Sequence, residues 1–288
     1  MFDATPHPFL APTNNSFRSN RAPTHPPKSA PGKRICEKRL ESSIKKLDDL
    51  QRRLYANDRY SLLLIFQAMD AAGKDGTIRA VMRGVNPAGC QVFSFKQPTS
   101  QELDHDFLWR TTYRLPERGR IGIFNRSYYE EVLVVRIHPE FLQSQKLPMP
   151  FSPHIWEDRY DSIRNHELHL ARNGTIILKF WLHVSKDEQR QRLLARLNES
   201  EKHWKFSQQD LEERKLWKQY MSAYEDAVNA TSRSWAPWYV IPADNKPFMR
   251  MCVAEIITKN LENLGLQYPT VSKATRQSFT KFRKQLQK

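Results

Sequence analysis

The sequence has few cysteines and no long apolar run. Its three cysteines, Cys36, Cys90 and Cys252, show neither the even count of a disulfide framework nor the paired spacing of a zinc finger. The longest uninterrupted apolar run, Leu62 to Phe66, is far shorter than the roughly 20 residues that cross a bilayer. The first residues lack a basic stretch followed by an apolar one, so we expect no secretory signal. These absences argue against a disulfide-stabilised or membrane-spanning protein and predict a cytoplasmic location.

Acidic residues are scarce relative to basic ones. The 288 residues include 46 lysines and arginines against 31 aspartates and glutamates, which gives a formal net charge of +15. Such an excess indicates a polyanionic or phosphate-rich ligand. Nucleic acid, membrane lipid, nucleotide and inorganic polyphosphate all fit, and the charge alone does not choose among them.

Three regions of the chain differ in composition. Residues 1–33 are rich in proline, asparagine, serine and threonine without apolar periodicity, which predicts a disordered tail. Residues 34–265 predict a single domain. Residues 266–288 form a second tail, either a frayed helix or an extended segment, and it either contacts a polyanion or is merely solvated. It contains six basic residues and no acidic one: Lys273, Arg276, Lys281, Arg283, Lys284 and Lys288.

Apolar runs alternate with amphipathic stretches in the central region. The apolar runs predict five strands, at Ser61–Phe66, Gln91–Phe95, Arg120–Phe124, Thr175–Val184 and Trp238–Ile241. The amphipathic stretches predict helices at Glu37–Tyr55, Asp75–Val85, Ser100–Leu115, Ile155–Arg172, Lys186–Leu197, Gln208–Thr231 and Phe248–Leu264. Strands bounded by helices are typical of βαβ units, so the sequence predicts a three-layer α/β domain with a central parallel sheet.

The first predicted strand runs into a turn of small residues that contains Gly73 and Lys74, and a predicted helix follows. This order is the P-loop arrangement, in which backbone amides and a lysine bind phosphate. The alternative is a plain turn with a helix cap. The general signature is imperfect here, because Ala68 replaces its first glycine and Asp75 replaces its hydroxyl residue. The predicted phosphate-binding positions are Ala72, Gly73, Lys74, Asp75, Gly76 and Thr77.

Carboxylates lie in this turn and after the third predicted strand. Asp70, inside the phosphate cradle, is expected to hold a metal ion or to orient an attacking phosphate, although it could also be a turn-capping aspartate. Asn125 stands where an acidic metal ligand is usual, at the sheet edge where α/β proteins bind ligands. Glu130 and Glu131 follow closely and are expected to supply the missing carboxylate. The alternative is an exposed polar helix start.

A basic and aromatic segment at about residues 192–210 separates two predicted helices. Such segments form the lids of nucleotide kinases, which close over phosphates and exclude water. The alternative is an ordinary charged helical hairpin. The residues concerned are Arg192, Arg196, Lys202, His203, Trp204 and Lys205.

These residues together resemble the polyphosphate kinase 2 family. The resemblance covers most of residues 40–264, in family order, and its Asn-Arg-Ser-x-Tyr-Glu motif looks like the class III subgroup, which is associated with phosphorylating nucleoside mono- and diphosphates. Neither tail carries any resemblance. The matching stretches are AMDAAGKDGTIRAVMRGVNPAGCQVFSFKQPT, HDFLWR, GRIGIFNRSYYEEVLVVRIHPE, EKHWKFSQQDLEERKLWKQYMSAYEDA and WAPWYVIPADNK.

The resemblance implies a P-loop kinase fold with a helical lid, similar to thymidylate kinase. It implies transfer of phosphate between inorganic polyphosphate and AMP, ADP, ATP or their guanosine equivalents, with Mg²⁺ or Mn²⁺ as cofactor, in a homodimer or homotetramer. Neither a membrane nor nucleic acid is an expected partner. The implied catalytic residues are Asp70, Lys74, Asn125, Arg126 and Glu130. The expected metal ligands are Asp70, Glu130 and Glu131, and the expected polyphosphate contacts beyond the loop are Lys96, Arg136 and Arg196.

Two other functions stay open on the residues alone. One is an ATP-dependent kinase of nucleotides or small molecules on the same fold. The other is a nucleic-acid-binding protein with a degenerate P-loop, although no recognised reading motif is present. Ala68 replaces the first glycine of the phosphate loop, and alanine fits at this position if its φ is negative. A positive φ would weaken phosphate binding.

Overall fold

A five-stranded parallel sheet forms the centre of the molecule. The structure, a computed structural model, describes residues 2–287, so Met1 and Lys288, which belong to the two predicted tails, lie outside the described residues. Over this range the strand order is β2-β3-β1-β4-β5. All five predicted strands and the parallel α/β class are confirmed. The strands are β1 Ser61–Gln67, β2 Cys90–Ser94, β3 Ile121–Asn125, β4 Thr175–His183 and β5 Trp238–Pro242.

Eleven α-helices accompany the sheet within residues 2–287. They are α1 Lys33–Asn57, α2 Lys74–Val81, α3 Ser100–Leu103, α4 Trp109–Thr112, α5 Val134–Ile137, α6 Ile155–Arg172, α7 Lys186–Asn198, α8 Gln208–Lys215, α9 Trp217–Thr231, α10 Lys246–Glu262 and α11 Lys273–Leu286. Short 3₁₀ helices occur at Ser19–Arg21, Pro87–Gly89, Tyr128–Val132, Pro139–Gln145 and Ser200–Lys205. In this part of the chain no α-helix combines the length and apolar character needed to cross a membrane.

Two predicted helices are interrupted in the structure. The stretch predicted as one helix over Ser100–Leu115 forms α3 and α4, and the side chain of Asp106 accepts from Leu108 N at 2.9 Å in the turn between them. The stretch predicted over Gln208–Thr231 forms α8 and α9, which are separated at Leu216. Neither break contains glycine or proline, so the apolar period alone does not reveal it.

The register of the sheet brings the two predicted motifs together. β1 is buried along its whole length because β3 and β4 pair with it on either side. Phe66 lies opposite Asn125 in the β1–β3 pair. The loop after β1 and the loop after β3 therefore leave the same edge of the sheet side by side, as expected for parallel strands.

The N-terminal segment is not the disordered tail that its composition predicts. Ala11 N donates to Trp238 O and Val240 N donates to Phe9 O, both at 2.8 Å, so the segment covers the edge of β5. Ala11 and Phe17 are buried. The composition is misleading because these few apolar residues need no periodicity of their own: they pack into sites that the folded domain provides.

The predicted C-terminal tail is helical over α11. None of the residues described in this helix is buried. At the other end of the domain, α1 is longer than predicted and packs against α10. The two helices lie side by side, and the ion pair between Arg39 and Glu255, at 2.7 Å, joins them at the surface.

Candidate active site

The turn between β1 and α2 has the backbone shape of a phosphate loop. Ala71 and Gly73 adopt left-handed conformations, with φ of 61° and 102°. Gly73 is the N-cap of α2 and makes no side-chain capping bond, so the first amides of this helix are left for a ligand. Glycine meets the requirement at position 73 without strain, whereas Ala71 holds a conformation that costs a residue with a Cβ about 1 kcal/mol.

Ala68 fits its position. Among residues 2–287 it is not one of those with positive φ, so the condition under which alanine replaces glycine without harm is met. Its carbonyl oxygen accepts a hydrogen bond from Lys74 Nζ at 2.7 Å. This bond folds the side chain of Lys74 back over the turn between β1 and α2.

Lys74 is half-buried and lies within the field of the other predicted catalytic residues. Burial lowers the pKa of Lys74, and the positive charge of Arg126 lowers this pKa further. The carboxylates of Asp70 and Glu130 act in the opposite direction. The predicted catalytic lysine, arginine and acids are therefore close enough to influence one another.

Arg126 connects the two motifs. Its Nη2 donates to Asp70 Oδ1 at 2.8 Å, and its Nη1 lies 3.5 Å from Glu130 Oε2. The negative charge of Glu130 is the largest cause that raises the pKa of Arg126. Burial raises the pKa of Glu130, while Arg126 and Lys74 lower it. One guanidinium therefore balances two carboxylates that would otherwise repel each other.

Asn125 holds the end of β3 to the start of α2. Its side-chain Nδ2 donates to Asp75 Oδ1 at 2.6 Å and lies 3.3 Å from Ser94 Oγ. An acidic residue at position 125 would face the carboxylate of Asp75 and repel it. The amide at position 125 and the acid at position 75 both depart from the usual P-loop pattern, and they form a complementary donor and acceptor pair.

Glu131 differs from the expectation for it. Its Oε2 accepts from Arg159 Nη1 at 2.8 Å and from Gln145 Nε2 at 2.7 Å, and the side chain is buried. This carboxylate is already neutralised by an arginine that is itself buried. Its neighbours therefore argue against the predicted role as a metal ligand.

A cleft of about 560 Å³ opens beside these residues, which is the size of a site for a nucleotide-like ligand. Lys96, a predicted polyphosphate contact, lines it and is exposed, while the backbone carbonyl of Lys96 accepts from Arg110 Nη1 at 2.8 Å. The remaining wall combines apolar, polar and charged side chains. The lining includes Asp70, Arg126, Glu130, Tyr220 and Tyr224.

Two predicted polyphosphate contacts are engaged elsewhere. Arg136 donates to Tyr160 Oη at 2.7 Å and pairs with Asp226 at 2.7 Å, and in the described part of the chain it is not among the residues that line the cleft. Arg196 pairs with Asp210 Oδ2 at 2.5 Å and donates to Lys205 O at 3.0 Å. A polyanion would have to displace an acid from each of them.

Comparison with known proteins bears on this geometry. Residues 32–268 match the family model described as polyphosphate kinase 2. The chain belongs to the polyphosphate kinase 2 family. It is 57% identical over 251 residues to the ADP-polyphosphate phosphotransferase of Rhodopseudomonas palustris, with 86% of this chain and 87% of the relative covered.

Two further similarities support the family and the fold. The AMP/ADP-polyphosphate phosphotransferase of Meiothermus ruber is 49% identical over 238 residues, which cover 83% of this chain and 85% of the relative. The crystal structure of polyphosphate kinase 2 from Arthrobacter aurescens TC1 superposes with a TM-score of 0.86 at 36% identity, and 94% of each chain is covered. The predicted resemblance and the P-loop kinase fold are confirmed.

Arg192, predicted as part of the lid segment, is instead fixed against the phosphate loop. It is buried, and its Nη1 donates to Ala72 O at 2.6 Å while its Nη2 donates to Ala243 O at 2.7 Å. One turn earlier on α7, Gln189 Nε2 donates to Asp70 O at 3.0 Å. α7 therefore fixes the backbone of the phosphate loop. The chain between α7 and α8 remains the predicted lid segment, with Trp204 78% exposed.

The sequence analysis missed a buried network behind the second motif. Lys179 Nζ lies 2.6 Å from Glu167 Oε2, and both side chains are fully buried. Glu167 Oε1 accepts from the hydroxyls of Tyr128 and Tyr129, at 2.9 and 2.8 Å. Burial lowers the pKa of Lys179 to about 8, against the opposing effect of Glu167. The two tyrosines lie between Arg126 and Glu130 in sequence, so this network holds the segment that carries them.

A sequence signal for the network does exist. Lys179 interrupts an otherwise apolar strand, TIILKFWLH, and Glu167 lies on a helix that precedes it. Since a charged residue inside a buried strand needs a partner, the lysine predicts an acid nearby. Only the packing of α6 against β4 identifies which acid it is.

Proposed function

We propose that this chain transfers the terminal phosphoryl group of inorganic polyphosphate to nucleoside monophosphates and diphosphates, namely AMP, ADP and their guanosine equivalents, in a reversible reaction. The observation that carries the proposal is Arg126, held between Asp70 and Glu130 beside Lys74, at the wall of a nucleotide-sized cleft. The Rhodopseudomonas palustris relative is named for ADP, and the Meiothermus ruber relative is named for both AMP and ADP.

The chemistry requires positioning and charge stabilisation more than covalent help. An oxygen of the acceptor phosphate attacks the terminal phosphorus of polyphosphate, and the bond from that phosphorus to the bridging oxygen breaks. The shortened polyphosphate leaves with the electron pair. Lys74 would exchange its bond to the Ala68 carbonyl for one to the donor, and Arg126 would stabilise the charge on the transferred group.

Mg²⁺, with Mn²⁺ as an alternative, is the proposed cofactor. Within residues 2–287 there is no group of three or more acidic, histidine or cysteine side chains that could hold a metal ion. Mg²⁺ usually takes only one or two protein carboxylates, together with substrate phosphates and water, so Asp70 and Glu130 fit an ion that binds with its substrate. When bound, such an ion neutralises phosphate charge. Glu131 is left out because Arg159 already neutralises it.

Assignment to class III rests on the motif after β3. The structural support is the pairing of Asn125 with Asp75, which gives the amide at this position a role that an acid would not fill. A cytoplasmic location and a homo-oligomeric state remain predictions.

Nucleotide product analysis tests the proposal. Purified protein, Mg²⁺ and long-chain polyphosphate are incubated separately with AMP, ADP, GMP and GDP in the absence of ATP. ATP formed from both AMP and ADP is the expected result. ATP from ADP alone would retain the donor and remove monophosphates from the acceptors. Transfer that occurs only when ATP replaces polyphosphate would contradict the proposal and favour the conventional kinase.

A further inference from the structure

Three basic residues beside the phosphate loop have no acidic partner. Lys246 and Arg250 lie in the first two turns of α10, and Arg79 lies on α2. Within residues 2–287 none of the three forms an ion pair or a side-chain hydrogen bond, and the buried Nε of Arg250 has no partner. This differs from Arg192 and Arg196, which are both paired with acids.

Arg250 lies close enough to Arg79 and to Lys246 for their charges to repel. Burial lowers the pKa of Arg250, and the charges of Arg79 and Arg192 lower it further. Burial also lowers the pKa of Lys246, followed by the charges of Arg192, Lys202 and Arg250. The acidic group that faces Lys246 is Glu188, and Arg192 Nε already binds it at 2.7 Å. The fold therefore holds an uncompensated positive cluster against the phosphate loop.

Arg250 lies directly on the backbone of α2. A Cβ placed on Gly76 would come within 3.3 Å of Arg250 Nη2, tighter than an ordinary contact. Glycine at this position lets the guanidinium approach the first turn of the helix whose amides face the loop. A phosphate near Gly76 would thus be within reach of both the helix start and Arg250.

Lys246 and Arg250 lie on the other side of β1 from the cleft residues that follow β3. Arg126 and Glu130 follow β3, which pairs with one side of β1, whereas Lys246 and Arg250 follow β5, which lies beyond β4 on the other side. None of the cluster residues is among those that line the cleft in the described chain. In phosphoryl transfer the attacking and leaving oxygens lie roughly in line. An acceptor bound beside Arg126 and Glu130 would leave the rest of the polyphosphate on the opposite side of the transferred phosphorus, and Lys246 and Arg250 are cations on that side of β1.

We propose that Lys246, Arg250 and Arg79 form a subsite that binds the polyphosphate chain beyond its reacting end. The inference rests on the proposed function, since it takes the polyphosphate as donor. The subsite recognises a repeating phosphate anion without sugar or base, because it offers three mobile or forked cations and no aromatic platform of its own. It replaces Arg136 as the contact for the distal part of the chain.

The test compares long-chain polyphosphate with tripolyphosphate as donor for ADP. The triple variant Arg79→Gln, Lys246→Gln, Arg250→Gln is expected to raise KM for the long chain about ten-fold or more, with a clearly smaller rise for tripolyphosphate. The dependence of log KM on log salt concentration should become shallower by about one for each cation removed. Arg250→Lys, which keeps the charge, should recover part of the long-chain affinity relative to Arg250→Gln.

A matched control removes the same charge elsewhere. Arg34, Lys38 and Lys45 are exposed on α1, and their triple glutamine variant should leave KM for the long chain unchanged. The subsite is wrong if the two triple variants behave alike, or if KM rises equally for both donors. It is also wrong if the cluster variant loses only salt-dependent binding of duplex RNA while KM for polyphosphate stays the same. If the proposed function were wrong, the wild-type protein itself would not use polyphosphate. This result differs from each result that contradicts the subsite alone.

Discussion

Arg126 Nη2 lies 2.8 Å from Asp70 Oδ1, and this bond joins the loop after β1 to the loop after β3. Both side chains remain partly exposed, so a bound phosphate can compete with Asp70 for the guanidinium and release the carboxylate. Asp70 would then be available to hold a metal ion or to orient the acceptor phosphate, as proposed above.

Replacing Asp70 by asparagine should remove activity without unfolding the protein. Asparagine keeps the shape of the side chain but loses the charge that would hold a metal ion or orient a phosphate. We expect kcat to fall by about 10²–10³-fold, the usual loss on removing one electrostatic contribution of an active site. The measurement is ATP formation from ADP and polyphosphate, together with a thermal unfolding curve. The surface variant Asp48→Asn is the control, and wild-type turnover by Asp70→Asn would contradict the assignment.

The pair formed by Asn125 and Asp75 can be tested by a double-mutant cycle. Asn125→Asp puts two carboxylates where a hydrogen bond of 2.6 Å now stands, and we expect the free energy of unfolding to fall by about 1–2 kcal/mol. Adding Asp75→Asn to this variant should recover at least half of the loss, because donor and acceptor are then exchanged. Denaturant unfolding of the two single variants and the double variant measures this coupling. Strictly additive effects would show that the two residues do not interact.

The buried pair of Lys179 and Glu167 predicts a large loss of stability on removal of the acid. Glu167→Gln leaves the lysine without a counter-charge in a fully buried position, so the free energy of unfolding should drop by about 3–5 kcal/mol. Equilibrium unfolding in urea is the measurement. The control Glu117→Gln, on an exposed ion pair with Arg120, should change stability by less than about 1 kcal/mol. Equal effects of the two variants would show that the buried pair contributes no more to stability than an exposed one.

His138 predicts a pH dependence of stability. Burial opposes its charge, but hydrogen bonds to Glu213 and Glu140, at 3.0 and 3.2 Å, raise the pKa of His138 overall. Since the pKa is higher in the folded state, the stabilisation is complete below the unfolded value of about 6.5 and is lost as pH rises through the folded value.

The variant His138→Gln should therefore be less stable than the wild type at a pH of about 6, and the difference should shrink at a pH of about 9. Urea unfolding at both pH values measures it, with the exposed His154→Gln as control. Glu213 lines the cleft and lies on α8, so this contact also ties α8 to the chain that follows α5. A stability difference that grows as pH rises would contradict the raised pKa of His138.

Deletion of residues 2–18 should destabilise the domain. The deletion removes the backbone bonds that cover β5 and the buried side chains of Ala11 and Phe17, at a cost of about 2–4 kcal/mol. The uncovered strand edge should also promote self-association. Thermal unfolding and light scattering measure the two effects. Deletion of residues 268–288 is the matched control, since it removes an exposed helix, and equal behaviour of both truncations would show that the N-terminal segment is dispensable.

Local sequence patterns were sufficient to predict the features whose residues are neighbours in the chain. The strand that ends at Gln67, the turn with Gly73 and Lys74, and the motif that begins at Asn125 each follow from a few neighbouring residues. Their meeting at one edge of the sheet follows from the rule for parallel strands. The hydrogen bond between Arg126 and Asp70 confirms that the two loops meet there.

The sequence by itself determined the α/β class, the phosphate loop and the family, because periodicity and motifs are properties of short stretches of chain. Only the tertiary structure decided which charges are free. Arg136, Arg192 and Glu131 look like ligands in the sequence, but each has a partner or backbone acceptor far along the chain. The N-terminal segment became ordered for the same reason. Burial and ion pairing depend on what lies opposite a residue in space, and a linear pattern does not contain that information.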